Sequence, residues 1–487
     1  MRGASAVITR RLGPGPEPQE VLRGLAGRPG AFLLESALAG GRHADWSYVG
    51  AGPALCLAAK GRRTWREDRS GRAGLAGDAF RELGRMLKRL AVEPAGERPP
   101  EEPSFRGGLV GCLGYELGRL VERLPGRAPD DLGLPDMHLG LYETVLAFDH
   151  RRRVWHASAV ELGARSAAER RRRLEARLAA AAGTLASASA NAGTTAGRED
   201  AADEFSAAES LGSNFSADDY RAAVGRVIEY IRAGDIFQAN LTQRFTAAWP
   251  RGALDLYLRL RRVNPAPFAA CYDFGRGQVV SASPELFLRV DGRRVETRPI
   301  KGTRPRSDDP AADRRLAAEL LASAKDRAEL TMIVDLERND LGRVCSYGSV
   351  RVEEHLALES FATVHHLVST VAGELHEGRT LVDLLRATFP GGSITGAPKI
   401  RAMQIIDELE RSARGVYTGA LGFIGLDGTM ELNLPIRTFT VADGRAHFGV
   451  GGGIVADSSP AGEYQETLDK ARGLVAALER QPVEAAI

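Results

Sequence analysis

The second half of the chain is strongly periodic. Tyr220, Val224, Val227, Ile228 and Ile231 recur every three or four residues, which predicts a helix from Ala217 through Ile231 capped by Ser216. Gly234-Asp235 ends it, and Ile236 to Phe245 reads as a strand. Two alternating runs, Gln278 to Ser281 and Leu286 to Val290, lead to a tight turn at Asp291-Gly292 and a return from Arg293 to Ile300. Helical patterns follow over Asp309 to Ala324, Asp326 to Cys345, Leu381 to Thr388 and Pro398 to Leu409. Strands are expected over Val350 to Leu356 and Val364 to Leu375, then a meander from Gly415 to Val455. Ser459-Pro460 opens a last helix to about Leu478. Before residue 160 the apolar segments are shorter: Phe32 to Ser36, Val49 to Leu57, Gly108 to Tyr115, and a hairpin from Leu139 to Val160. Antiparallel runs with helices between them predict an α+β protein of layered antiparallel sheets flanked by helices.

The pattern divides the chain into three: residues 1–160, an N-terminal scaffold or regulatory subdomain; 161–213; and 214–480, a catalytic domain. Ser166 to Ala182 has helix-forming composition with an arginine cluster, read as a solvated helix face. Ala186 to Ala202 has almost no large apolar residue, so 161–213 is expected to be a linker or mobile excursion.

Composition is that of a globular protein of 487 residues, and a net charge of +2 offers no case for nucleic-acid or membrane partners. No apolar run approaches the ~20 residues that span a bilayer, and no leader is legible. The four cysteines are scattered without a CxxC pair, which fits a reducing cytoplasm.

Candidate chemistry gathers in the second half. Lys301 sits beside Gly302 and between Pro299 and Pro305, a stretch that would hold an amine in place but would also suit a surface loop. Glu285 lies near the other end of the same hairpin, giving an acid and an amine. Glu463, Glu466 and Lys470 share one helix face, and Glu329 shares a stripe with Met332, Ile333 and Leu336 that should be buried. Such a carboxylate must be paired, protonated or metal-bound. Glutamates without histidine or cysteine suit Mg²⁺, and an ion pair with lysine or arginine would serve as well. Gly391 to Lys399 and Val450 to Ile454 are glycine runs able to cradle an anion or simply to pack closely. Arg437, on an otherwise apolar strand, calls for an anionic partner.

These stretches resemble the chorismate-utilising enzymes: anthranilate synthase component I, aminodeoxychorismate synthase component I, and the isochorismate and salicylate synthases. The motifs are Gly234-Asp235-Ile236-Phe237-Gln238, Pro299 to Arg306, Met332 to Leu341, Ser393 to Lys399, and Gly462 to Thr467. Leu33-Leu34-Glu35-Ser36 and Gly107 to Glu116 resemble the family's N-terminal part more loosely. Lys301, where anthranilate synthases resemble Pro-Ile-Ala-Gly-Thr, and Gln238-Ala239-Asn240-Leu241-Thr242 are similar to aminodeoxychorismate synthase component I. Isochorismate synthases place a base lysine where Gln238 stands.

The resemblance implies amination of chorismate at C4, giving 4-amino-4-deoxychorismate for 4-aminobenzoate and folate. Lys301 would form a covalent adduct at C2, Glu285 would be the acid, and His366 would orient the leaving hydroxyl. Mg²⁺ would be held by Glu329 and Glu466 with Glu463 close by. Substrate would be bound by Thr395, Gly396, Tyr417, Arg437, Gly452, Gly453 and Lys470. No Gly-x-Cys-x-Gly elbow is present, so ammonia is expected from solution or a separate glutaminase subunit, and no fused lyase is expected. Glu35 and Ser36 are candidates for a tryptophan site. The in-family alternative is anthranilate synthase component I.

Overall fold

Alternation along single strands builds two cores at once. In the strand Phe32–Glu35, Phe32 joins one apolar cluster and Leu33 another. Val279 and Val280 of the strand Gln278–Ser283 divide in the same way, as do Leu109 and Val110 of Gly108–Leu113. Successive strand residues face opposite sides, so each sheet is apolar on both faces. The inner cluster, with Phe32, Tyr48, Tyr272 and Phe423, takes residues from both sheets and joins them. The outer faces are covered by helices, through Leu330, Val334 and Leu385 on one side and Leu178, Leu256 and Leu474 on the other. The fold is α+β, in helix, sheet, sheet and helix layers.

The computed structural model describes residues 6–37, 45–92, 98–163, 166–195, 206–361 and 364–479. Among them, two antiparallel sheets of twelve strands each are formed. Strands from before residue 160 continue into the same sheets as later ones. Phe32–Glu35 pairs with Phe268–Asp273, placing Glu35 opposite Ala269, and Gly108–Leu113 pairs with Ala420–Gly425. The early strands form a contiguous block in each sheet, and each block joins the later strands through one such pairing, so a boundary at 160 falls inside both sheets.

The expected linker is mostly helix. Ala167–Thr195 is one continuous helix of 29 residues, and 196–205 lie outside the described residues. Alanine is the best helix former, and Leu174, Leu178, Ala181, Leu185 and Ala188 recur at helical spacing and are buried. Small apolar residues were enough, because the helix lies against a sheet that supplies the bulk. The helices Pro18–Leu25, Ala79–Leu90 and Ala253–Val263 were not anticipated either.

Elsewhere the elements agree closely. Ser216 accepts from the Asp219 amide at the start of Ala217–Arg232, and Ser459 caps Pro460–Leu478. The central return strand is split at Pro299 into Arg294–Arg298 and Ile300–Pro305, so Lys301 lies within a strand instead of leaving one.

Leu178→Ala should cost about 2–5 kcal/mol in chemical denaturation. A loss within experimental error would mean that the long helix does not pack on the sheet.

Candidate active site

A cavity of about 780 Å³ opens where the end of the second sheet meets the first. One wall is the strand Ile300–Pro305, with Glu285 and His366. The facing wall is the strand Arg445–Ile454 and the last helix, with Gly453, Glu466 and Lys470. Lys301, Glu329, Tyr417 and Arg437 complete the predicted residues that line it.

Gly302 shapes the first wall. Strand register slips between Lys301 and Thr303, so Gly302 is a bulge, with φ of 76°. A Cβ there would stand 2.8 Å from Leu320 Cδ1 and 2.9 Å from Asp326, so a larger residue would push the helix Ala324–Gly342 off the strand. Beyond the bulge Thr303 lies opposite His366, and their Oγ1 and Nδ1 are 2.9 Å apart. His366 Nε2 is buried without a partner. Burial, reinforced by the Arg437 charge, drives the imidazole down to about 3, so it is neutral and has one unsatisfied nitrogen.

Lys301 and Glu285 are shifted in opposite directions by the same cause. Burial lowers the lysine, although Glu329 pulls the other way. Burial raises Glu285 to about 7, against the effects of Ser393 and Lys301. Glu285 is 3% exposed, and its Oε1 has no partner. The site thus holds an amine biased toward its neutral form and a carboxyl biased toward its protonated form, the pairing needed for a nucleophile and an acid. Lys301 Nζ donates to the Ser393 carbonyl at 3.1 Å.

The far side is built for anions. Arg437 has left-handed backbone at φ 50°, just before the strand Thr438–Ala442 and not on it as expected. Its guanidinium meets Asn264 Oδ1 at 3.4 Å, and burial lowers its pKa. No carboxylate among the described residues pairs with it, so it faces the cavity ready for an anionic ligand. Lys470 Nζ bonds Glu466 at 2.7 Å and the Gly451 carbonyl at 2.9 Å.

Three carboxylates were expected to hold a metal. Glu329 and Glu466 line the cavity, while Glu463 turns to Ser458 Oγ at 2.6 Å, outside the lining. Burial raises Glu329 and Glu463, whereas for Glu466 burial is outweighed by Lys470 and the pKa falls. Among the described residues no group of three His, Cys, Asp or Glu side chains is placed to hold a metal by itself. Two carboxylates at a cavity wall do fit a hard cation that takes its other oxygens from water and a bound anion.

Some expected residues lie elsewhere. Thr395 is fully buried and donates to the Gly391 and Gly392 carbonyls. Gly396 pairs with Ala239, where a Cβ would strike the Gln238 carbonyl at 2.1 Å. Gly452 faces Glu463 and Glu466. These three are closely packed and lie outside the cavity lining. Glu329 also departs from expectation: it is half-buried toward the cavity, and the truly buried residues of the helix are Leu330, Ile333, Val334, Glu337, Asp340 and Leu341. Of the tryptophan candidates, Glu35 is already engaged by Arg261 at 2.8 Å and by the Tyr257 hydroxyl. Ser36 Oγ is unpartnered beside a cavity of about 30 Å³.

Sequence reasoning missed Lys325 at the cavity wall and the buried Arg414–Glu410 pair behind it. It also assigned no role to Glu337, Asp340 and Lys399, although all three fall inside quoted motifs. Two carboxylates three residues apart on a helical core stripe were the available signal.

Residues 34–476 match the family of chorismate binding enzymes. The chain is 44% identical over 457 residues to anthranilate synthase component 1 of Thermus thermophilus, covering 93% of this chain and 92% of that protein. It is 40% identical over 452 residues to aminodeoxychorismate synthase component 1 of Escherichia coli, covering 93% and 94%. The solved anthranilate synthase component I from Streptococcus pneumoniae superposes with a TM-score of 0.74 at 32% identity, over 89% of this chain and 92% of that one.

The Glu285 shift has a signed consequence. Folded protein keeps this proton up to about 7, so unfolding releases it and Glu285 contributes less stability as pH rises through that window. The stability of Glu285→Gln relative to the unsubstituted protein should therefore grow between pH ~5 and ~8, by on the order of 2 kcal/mol. A difference constant across pH in denaturation curves would remove burial as the cause.

Proposed function

The chain belongs to the chorismate binding enzymes, and we propose that within this family it aminates chorismate at C4 to give 4-amino-4-deoxychorismate. One observation carries this reading: a buried lysine amine biased toward neutrality and a carboxyl raised to about 7 share one cavity with an uncompensated arginine.

Chorismate is a dianion. Arg437 takes one carboxylate, with Tyr417 and the Gly453 backbone beside it, and Lys470 supports the other. Glu329 and Glu466 would hold Mg²⁺, which would supply positive charge toward that second carboxylate. Glu285, protonated, gives its proton to the departing C4 hydroxyl. The Lys301 lone pair attacks C2, the ring double bonds shift, and the hydroxyl leaves C4 as water. Neutral His366, with Nε2 unpartnered, orients that hydroxyl without competing for the proton. Ammonia then attacks C4, the double bonds return, and the C2–nitrogen bond breaks to release Lys301. The amine loses its extra proton to Glu285. Without a lysine, ammonia itself would add at C2, the anthranilate outcome, so the residue at position 301 decides which carbon carries nitrogen.

Relatives named component 1 support a separate partner that delivers ammonia from glutamine. Cysteines that are unpaired and mostly buried fit a reducing cytoplasm. The second reading is anthranilate synthase, favoured by the identity to the Thermus protein.

Purified protein given chorismate, Mg²⁺ and an ammonium salt should yield a product that an added lyase converts to 4-aminobenzoate. Fluorescent anthranilate in its place would establish the second reading. Lys301→Ala should abolish C4 amination, and Glu285→Gln should lower kcat by ~10²–10⁴ with chorismate still bound. C4 product from Lys301→Ala at the original rate would sink the covalent step. Glu329→Gln should raise the Mg²⁺ concentration needed for half-maximal rate by at least ~10-fold, and an unchanged requirement would place the metal elsewhere.

A further inference from the structure

Lys399 opens the helix Lys399–Leu409 and lies outside the cavity lining. Its ammonium is nearly enclosed and fully used. It donates to the Thr388 carbonyl at 2.9 Å, to the Pro390 carbonyl at 2.9 Å, and to the Asp340 carboxylate. An ammonium has three donors, and here each has an acceptor. Thr388 ends the helix Leu381–Thr388, and Asp340 lies on Ala324–Gly342. One cation thus ties three helices together, and the loop from 389 to 398 begins and ends on it.

The middle of that loop is pressed against the same helix. A Cβ on Gly392 would stand 2.9 Å from Leu336 Cδ2, with Glu337 just beyond. Glu337 is 6% exposed, and the Thr297 hydroxyl donates to it at 3.2 Å. Gly392 is followed at once by Ser393. The Ser393 carbonyl accepts from Lys301 Nζ at 3.1 Å and from Asn240 Nδ2 at 3.0 Å. It is the hydrogen-bond acceptor of Lys301 among the described residues.

We propose that the Lys399–Asp340 clamp is the positioning device for Lys301, acting through the loop that carries the Ser393 carbonyl. The two lysines show the contrast. Lys399 has three acceptors and is fixed by all of them. Lys301 has one, which fixes a single N–H direction and leaves the rest of the amine open to the cavity it lines. A carbonyl can aim an amine only if the carbonyl itself cannot move. Three fixed bonds on one side and Gly392 against Leu336 on the other provide that rigidity. Substrate-anion groups sit on other elements, Arg437 before the strand Thr438–Ala442 and Lys470 on the last helix. Loosening the clamp therefore weakens attack without weakening binding.

This inference rests on the reading of Lys301 as nucleophile. The test mixes full-length protein with chorismate and Mg²⁺, without ammonia, and follows the Lys301 adduct by rapid quench and intact-mass spectrometry. Chorismate affinity is measured in parallel. Lys399→Met with Asp340→Asn avoids stranding a buried carboxylate. Gly392→Ala disturbs the same loop from its other side and leaves the ion pair in place. Adduct formation should slow about 10- to 100-fold in both variants, with chorismate Kd within about threefold. Leu178→Ala, far from the loop, should leave both quantities unchanged. Adduct formed at the unsubstituted rate in a folded variant overturns the clamp, and so does slowing matched by an equal loss of affinity. No adduct in the unsubstituted protein, with C4 amination kept in Lys301→Ala, overturns the nucleophile reading and the clamp with it.

Discussion

Burial of ionisable side chains at the seam between the two sheets is the constraint on which the site depends. A lysine and a glutamate placed together in water would form an ordinary ion pair and do no chemistry. Here desolvation is the largest influence on Lys301, Glu285 and His366 alike, and it moves each toward its uncharged form. That condition is made by packing. The inner aromatic core joins the sheets along one stretch, and the cavity opens beyond it, where the sheet ends come together. Arg437 is the exception that completes the arrangement. It cannot shed its charge, so burial makes it a standing demand for an anion.

Glycine is used here mainly to let protein approach protein. Gly302 admits the helix Ala324–Gly342 to the catalytic strand, and Gly396 admits one strand to the backbone of another. Had these been larger, the wall that carries Lys301 would stand away from the helix that carries Glu329. The anion groups instead rest on side chains and on the Gly453 stretch of strand. The distinction matters for reading related chains, since a glycine-rich run beside an active site is often a packing surface that faces away from the ligand.

Much of this was legible beforehand. Period and caps located the last helix and the helix Ala217–Arg232 almost to the residue, because a serine cap and a regular apolar stripe both mark them. Lys301, Glu285, His366, Glu329, Glu466, Arg437 and Lys470 do converge on one cavity. What could not be read depended on tertiary neighbours. The Ala-rich helix looked like a linker because its bulk comes from the sheet beneath it. Thr395 looked like a ligand group because its acceptors are carbonyls of its own loop, which no pattern announces. Asp340 and Lys399 lie far apart in sequence, and nothing local says that they meet.

The interlacing of early and late strands sets an order on how this chain is made. Strand Phe32–Glu35 pairs early with Trp46–Gly50, and Gly108–Leu113 with Met137–Tyr142, but their second edges stay open until Phe268–Asp273 and Ala420–Gly425 have been synthesised. Until then each presents an unpaired edge rich in apolar side chains, the kind of surface on which nascent chains associate. Contacts so distant along the chain also close slowly, because loop entropy opposes them before packing rewards them. The catalytic seam, lined by Arg445–Ile454 and the last helix, is complete only when nearly the whole sequence has been made.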